Sequence, residues 1–384
     1  MDVYFDNSAS TRVSERAIEI MLKTMREDYA NTSAKHIKGV DAEKYVKDAA
    51  DIIAKTLKVK KGEIIFTSGG TESNNLAIIG SAMARKRYGN HIIISGIEHP
   101  AVYRPAEFLM EQGFEVTVLP VNAEGAVDLE VLKSSLRDDT VLVSVMYVNN
   151  EIGAIEPVDE ISRIIKAKNK DILFHVDAIQ AYTKFKITPK TQGIDMLSAS
   201  GHKFHGPKGV GFLYIDSSVK INPIIFGGGH QRGMRSGTLN TTGIAGMGVA
   251  AKEAYDDFEK KIKNIVDLKY YLMDNLEKIE GAVLNTKRGE NFAPQIISVS
   301  FEDIRAEVLL HALEDRGIYV SSGSACSSNH PGISGTLKAI GVREDLLDST
   351  IRISLSELNN REEADYFLKN LVELLPLLRK FVRK

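Results

Sequence analysis

The sequence carries one cysteine, Cys326, in 384 residues. A disulfide within the chain is therefore excluded, and a reducing cytoplasm is the expected compartment. An excess of one charge is also missing: 49 Lys and Arg stand against 51 Asp and Glu, a net of -2. Neither nucleic acid nor an anionic membrane is expected as the main partner. No apolar run is long enough to span a bilayer. The opening Met1-Asp2-Val3-Tyr4-Phe5-Asp6 has an early acid and no basic stretch, so it is not expected to act as a secretory signal. Internal repeats and low-complexity segments are absent. With 43% apolar and 26% charged residues, the length allows two domains and a sizeable core.

What is present is an alternation that begins near residue 63. Apolar runs at Ile64-Phe66, His91-Ser95, Phe114-Leu119, Val141-Val145 and Ile172-Val176 read as strands. Between them, Thr71-Met83, the stretch from Pro100, a short piece capped by Asp128, and Val158-Lys168 have helical spacing. Before them, Ser14 is placed to cap a helix through Ala17, Met21 and Met25, and a second helix runs through Tyr45, Ile53 and Leu57. Continuously apolar strands alternating with helices predict an α/β fold, a mostly parallel central sheet with helices on both faces. A helical stretch from about 243 to 279 is expected to lead into a smaller α+β domain, with strands near 296–301, 318–320 and 350–354. Ligands of such sheets lie at the carboxyl ends of the strands.

Polar residues gather at those ends. Ser200-Gly201-His202-Lys203-Phe204-His205-Gly206-Pro207 separates two apolar runs. A lysine shielded from water there has reason to lose its proton and form a Schiff base, although Lys203 alone reads equally well as a solvated loop residue. Gly69-Gly70-Thr71-Glu72 joins a strand to a helix and suits an anion, or else a plain helix cap by Thr71. Asp177 ends a buried strand and needs a partner, either a protonated ring nitrogen or structural donors. His99 follows another strand, where a satisfied histidine is the ordinary outcome. Asn149 follows a third and has the turn-forming reading beside it. His202 and His205 lack a third ligand at zinc spacing, so no metal is expected. Phe226-Gly227-Gly228-Gly229 through Thr238 is a loop rich in glycine and arginine that looks mobile. Cys326 stands among small polar residues, a poor setting for an inert buried thiol. A phosphate cradle, a buried aspartate, a histidine and a lysine at one sheet edge are together the equipment for pyridoxal phosphate.

Three motifs in order, Gly201-His202-Lys203 before Gly206-Pro207, Arg235-Ser236-Gly237-Thr238, and Ser321-Ser322-Gly323-Ser324-Ala325-Cys326, resemble those of cysteine desulfurases of the NifS/IscS type. These are fold-type I pyridoxal phosphate enzymes of the class-V aminotransferase family, and the similarity covers essentially the whole chain. The SufS-like branch differs around the cysteine. The resemblance implies an N-terminal segment 1–14 packing with the small domain, a large cofactor-binding domain over 15–255, and a small domain over 256–384. It implies that Lys203 holds the cofactor and moves the substrate's α-proton, that Asp177 keeps the pyridine nitrogen protonated, and that His99 stacks on the ring and assists proton transfer. Gln180 would contact the phenolic oxygen. Gly70, Thr71, Ser200 and His202 would hold the phosphate, with Thr238 supplied by the second subunit of a homodimer. Asn149, also a cofactor contact, and Arg352 would bind the substrate carboxylate. The Cys326 thiolate would take sulfur from L-cysteine, release alanine, and pass the persulfide to a sulfur-acceptor or iron–sulfur scaffold protein. Glycine stands at position 70 where the family often has alanine, and Asn31-Thr32-Ser33-Ala34 is a looser version of a family turn with no assigned role. A selenocysteine lyase and a non-catalytic sulfur carrier on the same fold are the rival readings, separated by dependence on Cys326 and by the cofactor's absorbance.

Overall fold

The computed structural model describes residues 1–322 and 334–380. The chain opens with β1 (Val3–Tyr4), α1 (Glu15–Arg26) and α2 (Ile37–Leu57). Ser14 caps α1 as its spacing predicts, its hydroxyl accepting the Ala17 N–H at 3.2 Å. The alternation then runs β2 (Ile64–Thr67), α3 (Gly70–Arg85), β3 (His91–Ser95), α4 (Pro100–Glu111), β4 (Glu115–Leu119), α5 (Leu129–Ser135) and β5 (Thr140–Met146). It continues through α6 (Val158–Lys168), β6 (Leu173–Asp177), α7 (Pro189–Gln192), β7 (Met196–Ser200) and β8 (Gly211–Ile215). Asp128 caps α5 by accepting from the Glu130 and Val131 N–H groups.

Among the described residues the large sheet has the order β2-β8-β7-β6-β5-β3-β4. Only β8 runs against the rest, antiparallel to β7 and β2, while the other pairings are parallel. Period two sends alternate side chains to opposite faces. Phe174 and Val176 of β6 join the core under α2 and α6, and Leu173 joins the core under α3 and α4. Both faces are covered, which is why the strands read as unbroken apolar runs. His175 is the polar exception. Its ring bridges the Ser144 hydroxyl on β5 at 2.8 Å and the Ser198 hydroxyl on β7 at 2.9 Å. Burial pushes its pKa down to about 3, and a neutral imidazole offers one donor and one acceptor to the two hydroxyls. The three central strands are thereby pinned in register just below Asp177.

The helix expected over 243–279 is two helices, α8 (Thr241–Tyr255) and α9 (Phe258–Leu276). Asp257 between them is left-handed, with φ of 52°, a conformation that aspartate tolerates better than most residues. The break has a packing cause. Ile244, Met247 and Ala251 of α8 belong to the core of the large sheet, whereas Leu268, Leu272 and Leu276 of α9 belong to a separate core. One straight helix cannot serve both. Around that second core lie β9 (Ala282–Leu284), β10 (Ile296–Phe301), α10 (Ala306–Glu314), β11 (Ile318–Tyr319), β12 (Ser321–Ser322), β13 (Thr350–Ser354) and α12 (Arg361–Arg379), while α11 (Gly335–Ala339) packs through Leu337 on a small cluster with Ile152 and Ala154. Its sheet has the order β12-β13-β10-β9, all antiparallel. β1 pairs in parallel with β11, and Val3 and Phe5 are buried in this core. Among the described residues no helix is long and apolar enough to cross a membrane.

The two helices α2 and α8 approach most closely at Gly248, where a Cβ would stand 2.7 Å from the Ala49 Cβ. Alanine normally favours a helix over glycine by about 1 kcal/mol. Here Gly248→Ala is expected to destabilise the fold by about 1–3 kcal/mol, because the helices must part. Urea unfolding reads the sign directly, and a raised midpoint would contradict this packing.

Candidate active site

Five strand ends and one strand of the second sheet converge on a cavity of about 300 Å³. Gly70, Thr71, His99, Asp177, Gln180, Ser200, His202, Lys203 and Arg352, all expected from the sequence, line it. Asp177 at the end of β6 is buried. Its Oδ2 accepts from the Asn74 amide on α3 at 2.7 Å, and its Oδ1 accepts from the Ile179 N–H at 3.0 Å. Burial raises its pKa, opposed by those two bonds and by the fields of His99 and Lys203. A carboxylate has room for a further donor from the cavity side.

His99 is the N-cap of α4. Its Nδ1 accepts the Ala101 N–H at 3.0 Å, so the neutral ring keeps its proton on Nε2. The residue is thus partly satisfied by structure and also faces the cavity. The preceding Glu98 joins the ends of β3 and β5, its Oε1 accepting from the Ser95 hydroxyl and the Met146 N–H, both at 2.6 Å. Its Oε2 is buried without a partner, and burial holds its pKa well above the ordinary carboxylate range.

After β7 the chain makes one tight turn, Gly201–Lys203. Lys203 Nζ donates to the carbonyls of Ser8 at 2.5 Å and Ala9 at 3.0 Å. Thr11 grips the same turn, its N–H donating to the His202 carbonyl at 2.8 Å. Ser8 and Ala9 line the cavity, a role that sequence reasoning missed because main-chain carbonyls leave no side-chain signature. The run Asn7-Ser8-Ala9-Ser10-Thr11, small and polar, was the available signal.

Arg352 enters from β13. Its Nη1 donates to the Asn150 carbonyl at 2.8 Å and its Nη2 to Asp6 Oδ1 at 2.9 Å, while Nε is buried without a partner. Two expected residues stand outside the cavity. Asn149 is buried beside it, its amide donating to the Ile97 carbonyl at 3.0 Å and its oxygen accepting from the Glu151 and Ile152 N–H groups at 2.9 Å. The neighbouring Asn150 lines the cavity in its place. Thr238 is exposed and does not reach the cavity of its own chain. Cys326 lies outside the described residues.

The loop from Phe226 to Thr238, expected to be mobile, is tied down at two points. Gln231 donates to the Phe66 carbonyl at 2.8 Å and accepts its N–H at 2.7 Å. Arg235 pairs with Glu72 on α3 at 2.7 Å, both largely buried.

The lining suits an elongated group, anionic at one end and carrying a protonated ring nitrogen at the other. Thr71 does not cap α3; the N-cap is Gly69, with no side-chain bond, so the first N–H groups of the helix keep their donors. A Cβ at Gly70 would meet Ile179 Cδ1 at 2.2 Å, so glycine lets Ile179 pack against the start of α3. Thr71 and Ser200 line the cavity with their hydroxyl-bearing side chains, and Asp177 lines it as an acceptor. These residues fit a phosphorylated pyridine.

The chain is similar over nearly its whole length to known proteins. The aminotransferase class-V family matches residues 3–367. A cysteine desulfurase IscS of Dictyoglomus turgidum is 43% identical over 98% of this chain and 95% of its own length. One of Methanosarcina thermophila is 42% identical over 98% of this chain and 93% of its own. A solved NifS-like protein superposes with a TM-score of 0.93 at 41% identity, covering 98% of this chain and all of the other. SspA, solved in complex with cysteine, gives 0.81 at 35% identity over 93% of this chain and all of its own.

Burial lowers the His202 pKa to about 4, with Lys203 and Lys208 adding to the effect. In the cofactor-free protein, NMR of the His202 ring is expected to show a midpoint near that value. Lys203→Ala is expected to raise it, since a removed positive charge favours the imidazolium. An unchanged midpoint would place Lys203 too far away to matter.

Proposed function

The chain belongs to the aminotransferase class-V family, and from that premise we propose that it is a cysteine desulfurase. It takes the sulfur of L-cysteine, releases L-alanine, and carries the sulfur as a persulfide on Cys326 for an acceptor protein, such as an iron–sulfur scaffold. The observation that carries this reading is the convergence of Lys203, Asp177 and Arg352 on one cavity. Pyridoxal 5′-phosphate, when bound, supplies a protonated ring that withdraws electrons from the substrate's α-carbon.

The chain's own residues do the rest. Asp177 holds the proton on the ring nitrogen. Gly70, Thr71, Ser200 and His202 hold the phosphate, and Gln180 stands beside Ser8, to whose carbonyl it donates at 2.9 Å. Arg352 offers its guanidinium to the substrate carboxylate and so orients the α-carbon. Lys203 removes and returns the α-proton, with His99 assisting from the next strand end. Asn149 is taken here as the residue that shapes the turn rather than as a direct contact. Cys326, as thiolate, attacks the substrate sulfur. The carbon–sulfur bond breaks, a sulfur–sulfur bond forms, and the carbon takes up a proton, so alanine and persulfide account for every atom.

A homodimer is part of this reading. Tyr29, Ile37 and Phe226 are 76%, 71% and 82% exposed, and Thr238 is exposed as well. A second copy would cover them and bring its Thr238 to the phosphate. Residues 1–14, 15–255 and 256–384 are taken as the N-terminal strap, the large domain and the small domain. A reducing cytoplasm keeps Cys326 available as a thiol.

Single-turnover reaction with L-cysteine tests the proposal. Wild type is expected to give one alanine and one persulfide on Cys326. Lys203→Ala is expected to give neither, and Cys326→Ala to lose both. Alanine release that survives in Cys326→Ala would move the protein to another class of carbon–sulfur or carbon–selenium lyase. Arg352→Lys is expected to raise KM for L-cysteine by about tenfold or more, a charge-assisted hydrogen bond being worth about 1.5–3 kcal/mol.

A further inference from the structure

Glu98 is a buried carboxyl group that the chemistry above does not use, although its neighbour His99 lines the cavity. The two donors to its Oε1 come from different strands: Ser95 ends β3 and Met146 ends β5. Met146 is the register partner of Asp177 on β6, and the next residue, Tyr147, donates its N–H to the Asp177 carbonyl at 2.8 Å. A short path of hydrogen bonds thus joins the residue before His99 to the main chain of Asp177, and Glu98 supplies its side chain. The loop has other ties. The Asn149 amide donates to the Ile97 carbonyl at 3.0 Å, the Ala101 N–H holds the His99 ring, and Tyr103 on α4 donates to the Ser95 carbonyl at 3.2 Å. Loss of the Glu98 contact is therefore expected to shift the loop without unfolding it.

The way Glu98 is held is the second observation. Both donors converge on Oε1, and Oε2 is buried without a partner. What the contact uses is one acceptor oxygen at a fixed reach from the main chain. Burial favours the neutral acid, whose carbonyl oxygen accepts much as an amide oxygen does. Glutamine offers the same oxygen at the same reach. Aspartate keeps the acid but falls short by one carbon–carbon bond, about 1.5 Å.

We propose that Glu98 is a positioning residue that sets His99 against Asp177 through the end of β5, acting by its reach and its acceptor oxygen and not by its charge or its proton. The inference rests on the reading of the cavity as a cofactor site and, for its kinetic part, on the desulfurase reading. Under that reading both residues touch the ring, so a shift of one against the other changes how the ring sits. A misplacement of about 1 Å costs on the order of a hundredfold in rate, and with the other ties in place the loss is expected to be nearer tenfold, about one power of ten. Arg352 binds the substrate carboxylate from the other sheet, so substrate binding is expected to stay as it is.

Glu98→Gln and Glu98→Asp in the holoenzyme provide the test. Glu98→Gln is expected to keep the visible circular dichroism of the bound pyridoxal phosphate and the wild-type kcat for alanine release. Glu98→Asp is expected to alter the dichroism and to lower kcat by about tenfold, with KM for L-cysteine unchanged. Glu98→Met fills the same space without an oxygen and is expected to behave as Glu98→Asp does, which keeps the comparison open if the aspartate variant folds poorly. Altered dichroism in Glu98→Gln would overturn the proposal, because an acid or a charge would then be what the site needs. Wild-type dichroism in both Glu98→Asp and Glu98→Met would overturn it as well. If wild type binds the cofactor but releases no alanine from L-cysteine, the desulfurase reading falls, while the dichroism of the variants still decides the role of Glu98.

Discussion

The strap from Asp6 to Thr11 is the contact on which the site depends. It lies between the large sheet and the small one and binds to both. Ser8 and Ala9 receive the Lys203 amine, and Thr11 takes hold of the lysine turn through the His202 carbonyl and the His205 N–H. On the other side, the Ser8 N–H donates to the Ser354 hydroxyl at 2.9 Å, and Asp6 pairs with Arg352. Hydrogen bonds that involve a charged partner are the strong ones. Arg352 is only 3% exposed, so its charge would be costly without Asp6. Lysine and arginine, from different sheets, are thereby held in one geometry by six consecutive residues.

Much of this was legible in the sequence. Continuous apolar runs announced the parallel sheet, and the strand-end rule drew attention to Lys203, Asp177 and His99, each of which had an ordinary structural reading by itself and gained weight only from standing together at one sheet edge. The misses have physical causes. The strap acts through carbonyls, which every residue possesses. Asn149 and Asn150 are adjacent in a turn, and which amide enters the cavity depends on backbone torsions that composition does not encode. The break at Asp257 hides inside spacing that suits a helix throughout; only the existence of two cores reveals it. Cys326 is known from its motif alone.

Around the cavity, burial pushes four carboxyls in the same direction. Glu98, Glu151, Asp177 and Glu156 all have raised pKa values, Glu156 to about 8. Asp177 differs from Glu98 and Glu156 in its partners. Both of its oxygens have donors, whereas Glu98 and Glu156 each keep one buried oxygen without any. Negative charge is thus better supported at Asp177 than at Glu98 or Glu156. The neutral His175, fixed between two hydroxyls one turn of the pleat below, adds rigidity without adding charge. A cationic ring nitrogen would meet Asp177 as a well-placed counterion.

The grip of Gln231 on Phe66 has a meaning beyond loop placement. β2 is the last strand on its side of the sheet, paired only with β8. Its outward N–H and C=O would otherwise offer a template to any extended peptide. The Gln231 amide matches both groups at Phe66, as one residue of an added strand would. The sheet is closed at this border by a side chain imitating a peptide bond, so the loop that carries Gln231 also discourages uncontrolled strand-by-strand association.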